Sequence, residues 1–189
     1  CGSNLCVRED FAGLDCSGLV SRSWEISRYS TTTFPAISIK IPRDLLQPGD
    51  ILNSENNHVM LFDKFDDDNQ MWVYESAAWL KIKNAPPAGV VYRTVDVGDD
   101  YVPRRYYKFI ETGERIKTNK TIIALRQLNG KKKLYIPAGT TGEILKGPAF
   151  RSKARKSQTP SDVWVYVKFS NSKEGWAAIR HLTLVGNKA

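Results

Sequence analysis

The chain has 189 residues, of which 41% are apolar, 11% aromatic and 25% charged, an ordinary globular composition long enough for one large domain or two small ones. No run approaches the roughly 18 consecutive apolar residues of a transmembrane helix, so no integral membrane segment is expected, and no segment is low in complexity. The net charge of +8 is unevenly spread: residues 1–113 hold 12 basic and 16 acidic side chains, residues 114–189 hold 16 and 4, which predicts two domains and a polyanionic partner for the second.

The opening residues, Cys1-Gly2-Ser3-Asn4-Leu5-Cys6, have neither a basic start nor an apolar run. They are not read as a signal peptide, and any export signal is expected upstream. Cys1 and Cys6 are close enough to pair, which would leave Cys16 as the odd thiol; the sequence leaves that pairing open. Residues 14–26 predict a helix, with Leu19, Val20, Trp24 and Ile26 on a partly apolar face and Asp15 placed to cap its start. Residues 29–40 are rich in Ser and Thr, carry Phe34-Pro35, and read as a loop. Pro48-Gly49-Asp50 predicts a tight turn feeding a strand at Ile51-Leu52.

Strands are expected at residues 58–62 and 71–76, joined by a polar hairpin around Asp66-Asp67-Asp68-Asn69. A third follows the Pro86-Pro87 break at residues 89–95, and an edge strand is expected near 104–110. Residues 111–120 are polar and read as a linker. Beyond them, short strands at 121–125, 133–136, 142–145, 163–169 and 175–179 suggest a small all-β barrel. Residues 151–157 (Arg-Ser-Lys-Ala-Arg-Lys-Ser) form a basic loop within it.

Cys16 stands at the predicted helix start. Unpaired amides there carry partial positive charge, which lowers a thiol pKa and favours the thiolate. The same amides, its own included, can hold an oxyanion. His58 opens an apolar strand after a polar turn, where an imidazole base could reach a thiol. A single Cys on an apolar helix is more often a core residue, and a single His more often structural, so neither carries the argument alone. The chain has three cysteines, two histidines and no Cys-x-x-Cys, so a soft-ligand zinc site is not expected.

Three blocks together say more. Asp-Cys-Ser-Gly-Leu-Val at 15–20, Leu-Gln-Pro-Gly-Asp-Ile-Leu at 46–52 and His-Val-Met-Leu-Phe at 58–62 resemble, in order and spacing, the NlpC/P60 family of cell-wall cysteine peptidases. The resemblance implies an α+β fold: a papain-like core over residues 1–112, its N-terminal helix packed on an antiparallel sheet. It implies Cys16 as nucleophile and His58 as base. The family's third residue, usually a His, orients the imidazole from the next strand. Glu75 occupies that place here, with Asn69 and Gln70 as further options. A carboxylate suits the role, because it accepts the imidazole N–H and stabilises the imidazolium. The resemblance also implies that Asp15 and Ser17 help hold a substrate peptide, although capping alone accounts for Asp15. The family's Tyr about a dozen residues before the nucleophile would fall at or before residue 1.

Residues 118–189 resemble bacterial SH3-like (SH3b) domains, through Tyr135-Ile136-Pro137-Ala138-Gly139-Thr140, Val163-Trp164-Val165-Tyr166-Val167 and Gly175-Trp176-Ala177-Ala178. Trp164 and Trp176 are either ligand platforms or barrel core, and His181 reads as structural. The two resemblances imply a secreted or wall-associated cysteine endopeptidase acting on peptidoglycan stem peptides, at the amide bond between D-glutamate and the diamino acid. They imply no cofactor and no metal. The alternative is a wall-binding protein that has lost turnover. Nucleic acid is not an expected partner, since the basic residues are not interleaved with aromatics in a recognisable binding motif.

Overall fold

The computed structural model describes residues 15–76, 89–128, 133–150 and 162–186. Cys1 and Cys6, the expected helix start at residue 14, the Pro86-Pro87 break and the basic run 151–157 lie outside the described residues. One helix, α1 (Cys16–Ser23), opens the described chain. The strands that follow are β1 (Ser38–Lys40), β2 (Ile51–Ser54), β3 (His58–Phe65), β4 (Met71–Ser76), β5 (Val90–Val95), β6 (Val102–Tyr106), β7 (Arg115–Thr118), β8 (Ile122–Leu125), β9 (Lys133–Ile136), β10 (Thr141–Phe150), β11 (Val163–Phe169), β12 (Glu174–Ala178) and β13 (Leu182–Leu184).

These strands form one hydrogen-bonded sheet, in the order β5-β4-β3-β2-β6-β1-β13-β7-β10-β11-β12-β8-β9. Every neighbouring pair is antiparallel except β1 and β13, which run parallel with Lys40 opposite Thr183. The strands up to β6 lie on one side of that junction and those from β7 onward lie on the other.

The expected α+β architecture is therefore corrected. Among the described residues the protein is nearly all β, with a single eight-residue α-helix, and this differs plainly from a papain-like core. The strands of the second half, β7 to β13, are joined to the first half's sheet through the single β1–β13 register pair. Apolar spacing gives the reason. Along β11, Val163, Val165, Val167 and Phe169 are buried while the residues between them are more exposed. That period of two suits a half-buried strand and cannot form one stripe on a helix. The helix itself stops early because Glu25 takes a left-handed backbone (φ 53°) and turns the chain away.

The expected loop at 29–40 is also more ordered than its composition suggested. Phe34–Ala36 is a 3-10 turn and Ser38–Lys40 is a strand paired with β6. Phe34, Ile37, Ile39 and Ile41 are all buried, so apolar anchors override a Ser/Thr-rich context. The Pro-Gly-Asp turn does form. Gly49 adopts φ +92°, and Asp50 accepts a hydrogen bond from the Gln47 amide at 2.9 Å.

That turn ties several elements together. The Trp24 indole N–H, just past α1, donates to the Gly49 carbonyl at 2.9 Å. The same ring stacks on Tyr106 of β6 at 4.6 Å and meets Phe34 edge-on at 5.5 Å. Beneath the turn, buried Asp50 is gripped by buried Arg105, with Nε to Oδ1 at 3.1 Å and Nη2 to Oδ2 at 2.9 Å. Arg105 also donates to the Leu45 carbonyl at 2.6 Å. Burial pushes the Asp50 carboxyl upward, against the pull of Arg105, so the pair works against its own desolvation. Removing one partner strands the other charge. Asp50→Ala is expected to lower stability by about 3–5 kcal/mol, read as a lower urea midpoint with an unchanged slope.

Candidate active site

The helix start is held by its cap. Asp15 is extended (φ −74°, ψ 174°) and its Oδ1 accepts the Gly18 amide at 2.6 Å. The Ser17 hydroxyl donates to the same oxygen at 3.1 Å, while Arg28 pairs with Oδ2. Asp15 and Ser17 thus flank Cys16 and are engaged with each other and with the helix.

Cys16 is half-buried, and the His58 side chain and the Val59 amide lie near enough to its thiol to favour the thiolate. The helix packs on β3 and β4, which carry the other two residues. His58 begins β3 immediately after a turn in which Asn56 takes a left-handed conformation (φ 63°). Its Nε2 lies 2.7 Å from Oε2 of Glu75 on β4. His58 and Glu75 are 2% and 1% exposed, so this contact is shielded from water.

Register explains the meeting. Leu61 of β3 faces Tyr74 of β4 and Phe62 faces Val73. Continuing that register sets Glu75 opposite Met60 and diagonal to His58, on the same face of the sheet. Diagonal neighbours lie within reach of long side chains. On the other flank Val91 of β5 faces Glu75 and Arg93 faces Val73, so Arg93 is diagonal to Glu75 as well. Its Nε donates to Glu75 Oε1.

The result is a row of alternating charge, from Cys16 through His58 and Glu75 to Arg93. Burial alone would push the Cys16 thiol up, but the hydrogen bonds from His58 and from the Val59 amide, with the imidazolium charge, bring it below its ordinary value. Burial alone would likewise depress His58; its hydrogen bonds to Cys16 and Glu75 and their negative charges raise it to about 9. Glu75 is opposed by burial too, yet His58 and Arg93 hold it below the usual carboxylate range. His58 is thus held protonated up to about pH 9, while Cys16 ionises more readily than an ordinary thiol.

The structure thus brings Cys16, His58 and Glu75 together, with Asp15 and Ser17 alongside. Asn69 and Gln70 sit at the β3–β4 turn, where the Gln70 amide donates to Asp66, and are not in the cluster. Trp164 and Trp176 are half-buried on β11 and β12, and Trp176 packs edge-on against Tyr166 at 5.5 Å. His181 is also outside the site. Burial, with the charges of Lys120 and Arg180, depresses it to about 4.

Two residues escaped the sequence reading. Arg93 had a faint signal: alternation along Val91-Tyr92-Arg93-Thr94-Val95 puts an arginine on the face of two valines. Tyr101 had none, because it comes from an irregular turn. Its ring meets the His58 ring edge-on at 6.5 Å, and it lines a cavity of about 210 Å³ with His58, Glu75, Arg93 and Asp96. Burial and the charges of Asp100, Glu75 and Cys16 push its phenol up, so it remains a neutral donor.

Among the described residues no group of His, Cys, Asp and Glu is placed to hold a metal ion, and no helix is long and apolar enough to cross a membrane. No family model, no curated protein and no solved structure matches the chain.

The charge row predicts thiol reactivity at low pH. Cys16 is expected to react with iodoacetamide readily at about pH 6, where an ordinary thiol is largely protonated. In Glu75→Gln the imidazolium loses its carboxylate, His58 falls, the thiol rises, and alkylation near that pH slows about tenfold for each unit of thiol shift. Mass spectrometry of the Cys16 peptide measures this separately from Cys1 and Cys6.

Proposed function

We propose that the chain is a cysteine-dependent amide hydrolase acting on peptidoglycan stem peptides. One observation carries the chemistry: a buried imidazole held at 2.7 Å by a buried carboxylate, with the Cys16 thiol near enough for the two to shift each other's ionisation. This is the arrangement of nucleophile, base and orienting group that acyl transfer needs, and it is recognised by geometry on unrelated scaffolds. The nearly all-β scaffold is therefore no obstacle to it.

In the proposed reaction the Cys16 thiolate attacks the amide carbonyl carbon and a C–S bond forms. The amide of Cys16 at the start of α1 stabilises the oxyanion. The C–N bond then breaks as the His58 imidazolium gives its proton to the leaving amine. Water, deprotonated by neutral His58, attacks the thioester; the carboxylic acid product leaves and the thiolate–imidazolium pair returns. Glu75 keeps the ring oriented and stabilises it when charged.

The substrate rests on other support. The three blocks at 15–20, 46–52 and 58–62 resemble those of wall peptidases, and the basic second part of the chain suits the anionic polymers of a bacterial wall. The proposed bond joins D-glutamate to the diamino acid, and the proposed setting is outside the cell or on the wall.

Cys16→Ala is expected to abolish release of stem-peptide fragments from purified wall while leaving the circular dichroism spectrum intact. Fragments released at the wild-type rate would end the proposal. No release by the wild type itself, with wall still bound, would leave a binding protein instead. In the active enzyme the rate is expected to fall as pH rises through about 9, where His58 loses the proton owed to the leaving amine.

A further inference from the structure

Glu75 has two carboxylate oxygens, and both are buried at a residue only 1% exposed. Oε2 is occupied by His58. An ionised carboxylate in such a place needs a donor on the other oxygen as well, or its charge is poorly compensated and its orientation about the last side-chain bond is loose. Arg93 supplies that donor through Nε on Oε1. The Arg93 side chain is 37% exposed, so its outer guanidinium edge stays solvated and its desolvation is modest. A further contact, Nη1 to the Thr94 carbonyl at 3.4 Å, steadies it.

We propose that Arg93 is a positioning residue of this site: by holding Oε1, it fixes the Glu75 carboxylate in the ionised, oriented state that in turn holds His58 toward Cys16. The proposal deepens the thiol chemistry proposed above and rests on it for any effect on turnover. Among the described residues, the titratable groups around the Glu75–Arg93 pair come from three elements. His58 comes from β3, Cys16 from α1 through the imidazole, and Asp96 and Tyr101 from the segment after β5. Arg93 is the only cation beside Glu75 other than His58 among these.

Loss of Arg93 leaves the His58 contact but frees Oε1. Glu75 then protonates at higher pH, and a neutral Glu75 no longer supports the imidazolium. The acid side of thiolate reactivity should therefore move upward. A side chain with only a packing role would lower reactivity by the same factor at all pH values and leave the midpoint in place.

The test is the pH profile of Cys16 alkylation by iodoacetamide, read by mass spectrometry in wild type, Arg93→Gln and Arg93→Lys, with circular dichroism of each. In Arg93→Gln the acid midpoint is expected to rise by about one unit, so that reactivity on the acid limb falls about tenfold. Arg93→Lys, which restores a cation and a donor, is expected to recover at least half of that shift. A profile for Arg93→Gln that superposes on wild type overturns the proposal, as does a uniform loss that Lys fails to recover. Release of wall fragments is measured on the same proteins. A shifted alkylation profile with no wall cleavage by the wild type leaves Arg93 in place and removes the hydrolase reading; wall cleavage with an unshifted profile does the reverse.

Discussion

The site depends on one carboxylate kept charged where charge is costly. Glu75 is almost wholly buried, and burial is the largest influence on it, acting toward protonation. Among the described residues, two donors from two strands, His58 and Arg93, reverse that. If they failed, a neutral acid would still hydrogen-bond to an imidazole but would not favour the imidazolium, and the thiol would lose the partner that ionises it. The whole row from Arg93 to Cys16 is thus coupled, each charge stabilised by the next, and its members titrate as a set rather than singly. Such arrangements give little net stability, because desolvation cancels much of the attraction, and their value lies in orientation.

The sheet delivers that orientation cheaply. Three adjacent strands each contribute one residue to one face, and the register places both partners of Glu75 diagonally across from it. No loop has to be ordered for the purpose. The helix then needs only to bring one thiol to the start of β3, and it is pinned for this at both ends. Asp15 caps its start, and Trp24 beyond its end reaches the carbonyl of Gly49 and the ring of Tyr106. The buried Asp50–Arg105 pair holds that turn against β6. Hence the Pro-Gly-Asp block, which contributes no group to the chemistry, sets where the helix can lie.

Much of the site was legible because its residues are chemically conspicuous. A thiol after a capping Asp and a His opening an apolar strand stand out by type, and the resemblance of the three blocks to a known family is what joined them and implied Glu75 as the third residue. Hairpin and turn chemistry were legible for the same reason: Asp66, Asn69 and Gly49 do locally what their side chains or backbones favour. The architecture was less so. Periodicity marks strands but does not say how strands in distant parts of the chain pair, and the parallel contact of β1 with β13 joins residues 40 and 183 through one register pair. Nor did local composition show that residues 38–40 would be a strand, since tertiary burial of Ile39 and its neighbours decides that. Arg93 and Tyr101 were hidden because an arginine in a strand and a tyrosine in a turn are commonplace until the fold sets them beside an imidazole.

The source of thiol activation also differs from the one the helix start suggested. An N-terminal helix charge is worth roughly 0.3–1 kcal/mol at an accessible site, less than the 1.36 kcal/mol of a single pKa unit. Burial of Cys16 opposes ionisation, and the nearby Asp15 charge opposes it further. Asp15 therefore serves two ends in conflict: its carboxylate caps the helix that carries the thiol, and its charge disfavours the thiolate. The pairing of Arg28 with Oδ2 offsets the second effect without disturbing the first, which uses Oδ1. What remains to drive ionisation is specific rather than diffuse, namely the His58 ring and the Val59 amide, both supplied by the first two residues of β3. The thiol is activated by the strand it faces more than by the helix it begins, so the geometry between α1 and β3 is the quantity on which reactivity turns.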